Sequence, residues 1–167
     1  MPRPLAIRPD SLDIVAPLIS PKKAIRSPIR VTIDSPKQYR RAVFRIACFF
    51  RRELGYDFVQ YGDDGNEEDW NHVAFLWVHP EAVGGATSLR VPCIGAAVFR
   101  QRSARNPLPP VYALQWIWVH PYWRRKGLLS GHWGALRQEF GNFQCEPPLS
   151  PAMQQFLESR SEDLVTD

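Results

Sequence analysis

The sequence predicts a mixed α/β domain, a mostly antiparallel sheet with helices on both faces, and three observations carry that prediction. The apolar, aromatic-rich run Val111–Val119 alternates as a strand and stops at His120-Pro121, because proline cannot continue a ladder. A short basic turn with one glycine follows, and then Leu129, Trp133, Leu136 and Phe140 recur at spacings of 4, 3 and 4, the period of a helix face. Upstream, Tyr39, Val43, Ile46, Phe50 and Leu54 form a second helical stripe, and Val73–Val78 and Val91–Phe99 read as further strands. The resulting order is β-α-β-β-β-α-β-α.

Taken along the chain, residues 1–27 are proline-rich and basic, with neither alternation nor helical period, and read as an extended arm. Ile29–Ile33 is a first short strand. Ser35-Pro36 opens a helix, with serine as N-cap and proline at the first helical position, and Gly55 stops it. Gly62–Asp69 is an acidic connection whose ligand spacing does not fit a calcium loop. Gly84-Gly85 marks a turn, and Arg100–Pro110 a loop. After the strand Val111–Val119 come a helix from Arg125 to about Phe140, a short strand Phe143–Cys145, and a last helix opened by Ser150-Pro151 that runs through Ser159. Residues 28–160 therefore form the domain, and 161–167 an acidic tail.

Bulk composition limits the function classes. The chain has 167 residues, 44% of them hydrophobic, enough for one packed core. Cys48, Cys93 and Cys145 are widely spaced with no Cys-x-x-Cys pair, so the expectation is reduced thiols, a cytoplasmic protein and no bound metal. No apolar run approaches the roughly 18–20 residues of a membrane helix, and the N-terminus lacks a signal-peptide segment. The net charge of +4 is uneven: residues 1–60 hold 12 Lys/Arg against 5 Asp/Glu, and residues 61–167 hold 9 against 12. The basic half suits an acidic partner or nucleic acid, although a solvated helix face gives the same pattern.

The turn between the long strand and the next helix is where chemistry is expected. Backbone N–H groups at a helix start lack partners and face the positive end of the helix dipole, which suits a phosphate or diphosphate. Arg124-x-x-Gly127-x-Leu129 resembles the acetyl-CoA loop of the GNAT acetyltransferases, with Leu129 in place of the usual small residue. Ile117-Trp118-Val119 together with Arg124-Arg125-Lys126 and Ser130 is similar, more narrowly, to the catalytic domain of the cohesin lysine acetyltransferases. Pro28–Ile33, Leu54-Gly55-Tyr56, Val91–Ala96 with Gly95 in a central strand, and Cys145-Glu146-Pro147 fit the same comparison. The resemblance implies a GNAT-like fold of minimal form, without the usual second helix or closing hairpin.

It also implies site residues. Arg124, Arg125 and Lys126 would supply charge to the diphosphate, and N–H groups from Arg125 through Gly127, Leu128, Leu129 and Ser130 would face it. The backbone of Trp118 and Val119 would pair with pantetheine. Glu146 stands where the cohesin-type enzymes place an aspartate, and is the expected general base; the alternative is a surface loop carboxylate. Their second acidic residue corresponds to Gly134, and the tyrosine that many GNAT enzymes use to protonate the thiolate corresponds to Phe156. That leaves Ser150, Cys145 or water for the last role. His120 and His132 flank the turn and read as core or surface histidines, and Trp116 and Trp118 share one strand face and read as core.

The implied function is acetyl transfer from acetyl-CoA to a primary amine, foremost a protein lysine. Two other classes stay open. A small-molecule N-acetyltransferase would want an acidic acceptor wall, for which Asp63–Asp69 is a candidate. A non-catalytic acyl-CoA-binding module fits Gly134 and Phe156. A nucleic-acid contact through the arm would be a compatible addition.

Overall fold

In the computed structural model, residues 15–62, 72–80, 90–102 and 111–163 are described. The acidic connection 63–69, the Gly84-Gly85 turn, most of the loop before Val111, the first half of the arm and the last four tail residues lie outside them. The elements are β1 (Leu18–Ile19), β2 (Ile29–Val31), α1 (Lys37–Leu54), β3 (His72–Val78), β4 (Val91–Arg102), β5 (Val111–Val119), α2 (Leu128–Phe140), β6 (Gln144–Cys145) and α3 (Pro151–Asp163). A single 3-10 turn at Pro121–Trp123 lies between β5 and α2.

The six strands form one sheet, five of them in the order β2-β3-β4-β5-β6 and β1 paired with β4 off that path. All pairs are antiparallel except β5 with β6, so the mostly antiparallel α/β arrangement expected from the pattern is the one found. One face carries α1, whose Ala42, Val43, Ile46, Ala47 and Phe50 pack with Val31, Leu76, Val98, Trp116 and Trp118. The other face carries α2 and α3, where Trp133, Leu136 and Met153 meet Phe75, Trp77, Phe99 and Phe143. The Phe99 ring stacks on Phe140 with centroids 4.2 Å apart. Both faces of the central strands are covered, which is why β3 and β4 read as near-continuous apolar runs.

Several boundaries differ from the sequence reading. The arm is not separate from the sheet: Leu18 and Ile19 pair with Pro92 and Val91 of β4, and the Cys93 N–H donates to the Pro17 carbonyl at 2.8 Å. β1 takes the edge of β4 that β5 vacates when it ends at Val119, and Ile19 is 1% exposed there. The first strand stops at Val31 rather than Ile33, because Thr32–Ser35 form a turn. Ser35 spends its hydroxyl on the Thr32 N–H at 2.9 Å, so α1 begins at Lys37 without a side-chain cap. In α3, by contrast, Ser150 Oγ does accept the Met153 N–H, the expected capping bond. α3 continues through Asp163, into the segment read as a tail. α2 starts at Leu128 rather than Arg125, since Arg125 (φ 59°) and Gly127 (φ 77°) are left-handed and cannot be helical.

Candidate functional site

β5 decides the geometry of the site. Its register against β4 runs Val98 to Trp116 and then Phe99 to Leu114, so Gln115 is an extra residue, a β-bulge. The bulge turns Leu114 toward the α2/α3 face and leaves Trp116 and Trp118 on the α1 face. It also bends the strand. β6 stays paired with β5 only at Ala113 and Leu114, with one further bond from the Glu146 N–H to the Leu114 carbonyl. Beyond the bulge, no strand among the described residues pairs with Trp116–Val119 on that side.

The parting of β5 from β6 opens a groove of about 1460 Å³. Ile117, Trp118 and Val119 form its floor, the turn and the start of α2 one wall, and Ser150, Met153 and Phe156 of α3 another. The His120 N–H donates to the Ile94 carbonyl at 2.8 Å, which sets the phase of the ladder. By strand alternation Trp118 then turns its backbone toward β4, while Ile117 and Val119 present theirs to the open edge. Of the expected pair, Val119 thus faces the groove with its backbone and Trp118 does not. Gly95 permits this approach: a Cβ there would stand 2.9 Å from the Trp118 carbonyl oxygen.

The three cations of the turn have separate fates. Arg124 is fully engaged: Nη1 and Nη2 donate to the two oxygens of Glu53 at 2.7 Å each, and Nε donates to the Val119 carbonyl at 2.7 Å. Lys126 lies over the Tyr122 ring, with Nζ 3.6 Å from its centroid. Arg125 is exposed and makes no hydrogen bond or ion pair to any described residue. Gly127 caps α2 through its left-handed backbone, and its carbonyl accepts the Gly131 N–H. The N–H groups of Leu128, Leu129 and Ser130 therefore stand at the open first turn, beside Arg125. Leu128 and Leu129 are half-buried and Ser130 is exposed, and all three line the groove.

Glu146 lines a notch of about 40 Å³ at the inner end of the groove, with Gln115, Cys145 and Ser150. It is mostly buried, its side chain 13% exposed, and both its oxygens accept from Nη2 of Arg100, at 3.2 and 3.1 Å. Nothing local marks Arg100 as its partner, because the pair joins β4 to the residue after β6. The Gln115 side-chain oxygen is buried without a hydrogen bond from any described residue. Burial pushes the Cys145 thiol up despite the nearby Arg137, so it rests as a thiol, not a thiolate. Gly134 sits on the exposed face of α2, and Phe156 meets the Trp133 ring at 5.0 Å.

His120 is wholly buried and Nδ1 accepts the Tyr122 N–H; His132 Nδ1 accepts from Trp77 Nε1 at 3.0 Å. Both are packing histidines. Sequence reasoning missed Glu53 altogether. Burial would raise its carboxyl, but hydrogen bonds from Arg124 and Trp118 and the charge of Arg124 prevail and hold it below the usual carboxylate range. Among the described residues no helix is long and apolar enough to cross a membrane, and no group of His, Cys, Asp and Glu could hold a metal ion.

No protein-family model matches this sequence, and no curated protein does. Among solved structures, one described as a probable acetyltransferase is 14% identical, over 78% of this chain and 86% of that one, with a TM-score of 0.51. An aminoglycoside acetyltransferase from an uncultured soil metagenomic sample, in complex with sisomicin, is 12% identical over 80% and 84%, with a TM-score of 0.49. The aminoglycoside N-acetyltransferase AAC(6')-Iy, in complex with CoA, is 20% identical over 68% and 78%, with a TM-score of 0.39. The likeness to the first is one of fold, and the fold is GNAT-like.

Proposed function

We propose that this chain is an acetyl-CoA-dependent N-acetyltransferase acting on a primary amine. The observation that carries the proposal is the parting of β5 from β6 beside a left-handed basic turn, which joins an open strand edge to an anion site in one groove. The residues fit the group. Arg125, with Lys126 beside it, and the N–H groups of Leu128, Leu129 and Ser130 would hold the diphosphate. The open backbone of Ile117 and the N–H of Val119, whose carbonyl is taken by Arg124, would pair with the pantetheine amides, and Trp118 lines the groove below. Acetyl-CoA held there supplies an acetyl thioester. Glu146, in the notch, takes the proton that the acceptor nitrogen gives up, directly or through water, while Arg100 keeps its carboxylate in place. Phe156 has no proton to donate, so Ser150 or water serves the departing sulfur.

For the acceptor, a small-molecule amine is favoured over a protein lysine. The second carboxylate of the cohesin-type pattern is replaced by Gly134, which is exposed on α2. A non-catalytic acyl-CoA-binding module is the second reading, favoured by Phe156. Contact with nucleic acid through the basic residues 1–60 is a separate, weaker reading, and would show as binding that falls steeply with salt.

The test is calorimetric titration of acetyl-CoA into the wild type and Arg125→Glu, followed by a screen of small amines and lysine peptides. Micromolar binding that weakens at least tenfold in the variant supports the groove. Glu146→Gln should then bind acetyl-CoA normally and lose about 10²–10⁴-fold in transfer rate. A folded wild type that binds no acetyl-CoA overturns the proposal, and binding with no transfer to any amine selects the non-catalytic module.

A further inference from the structure

The ion pair between α1 and the turn has a role beyond joining two surface segments. All three nitrogen positions of Arg124 are bound within the protein, two on Glu53 and one on the carbonyl that ends β5. Glu53 also accepts from Trp118 Nε1 at 2.6 Å, so one carboxylate ties the groove floor to the residue that starts the turn. The next residue, Arg125, is left-handed at φ 59°, a conformation unfavourable for a side chain with a Cβ and kept only where its surroundings enforce it. An Arg124 committed in this way is not available to grip phosphate. Its work is to aim the turn that does.

We infer that Glu53 is the positioning residue of the anion turn: by fixing Arg124, it holds residues 125–127 in the one arrangement that presents Arg125 and the first N–H groups of α2 to a diphosphate. The inference rests on the reading of the groove as an acetyl-CoA site and deepens it. Glu53 lies 71 residues before Arg124 and outside any loop motif, so nothing local in the sequence marks it. Glu53→Gln keeps the size and one acceptor oxygen but replaces the second with a donor that faces the guanidinium. Glu53→Asp keeps the charge with a shorter reach.

The test compares three probes, acetyl-CoA, inorganic pyrophosphate and S-acetylpantetheine, by calorimetry on the wild type and both variants. Affinity for acetyl-CoA and pyrophosphate should fall at least tenfold in Glu53→Gln and partly recover in Glu53→Asp, while affinity for S-acetylpantetheine, which lacks the diphosphate, stays within about twofold. A merely structural role would weaken all three probes together, and that outcome overturns the inference. Equal acetyl-CoA affinity in wild type and Glu53→Gln also overturns it. Wild-type binding of pyrophosphate without acetyl-CoA would refute the transferase reading yet support Glu53 if the variant loses pyrophosphate. Binding of neither probe by a folded wild type overturns both.

Discussion

At Gly95 the absence of one atom sets the width of the sheet. A Cβ there would press on the Trp118 carbonyl at 2.9 Å and on the Val119 Cα at 3.3 Å, both backbone atoms that cannot swing aside. Gly95→Ala should therefore cost about 1–3 kcal/mol in chemical denaturation and weaken acetyl-CoA binding, since the same shift displaces the groove floor. Arg125 makes the opposite case. Its left-handed φ of 59° is easier for glycine, so Arg125→Gly should leave stability unchanged or raise it by less than about 1 kcal/mol, while acetyl-CoA affinity drops with the lost cation. A common loss of both quantities would contradict that separation. Glu53 gives a pH signature. Its folded carboxyl lies below the ordinary range, with the Arg124 guanidinium as the facing charge, so its contribution is present above the unfolded pKa of about 4.3 and fades as pH falls through the lower folded value. The difference in Tm between wild type and Glu53→Gln should be flat from pH 5.5 to 7 and shrink below about pH 4.

Among the elements, β5 carries the site because it is irregular. Its apolar alternation was legible, and the turn and helix after it followed from proline, glycine and the 3.6-residue period. The bulge at Gln115 was not, because a bulge is a matter of register against β4 and leaves no mark in a strand read alone. The same limit explains α2: Arg125–Lys126–Gly127 continue the helical pattern in sequence, and only the left-handed backbone of Arg125 and Gly127 takes them out of it. Ser35-Pro36 and Ser150-Pro151 show how context settles a shared signal. One serine turns back to Thr32 and the other caps its helix.

For the whole molecule, β1 makes the arm part of the core. Ile19 packs with Ile46, Val91 and Cys93 under the end of the sheet. Burial there pushes the Cys93 thiol up to about 12, so it serves as a packing group and not as a nucleophile. Ile19→Ala should cost about 2–4 kcal/mol, which would be unexpected for a residue in a detached arm. Urea unfolding of that variant checks it.

The alternation and helical stripes of this chain determined its fold class, the order of elements from β2 onward and the place of the strand-turn-helix corner after β5, because each is a local pattern of side chains that prefers one backbone shape. Tertiary structure alone decided which cation of that turn makes no ion pair among the described residues, which carboxylates are paired, and where β5 leaves β6. Those outcomes depend on groups brought together from distant parts of the chain, Glu53 with Arg124 and Arg100 with Glu146, and no local pattern encodes the meeting of residues that only the packed sheet makes neighbours.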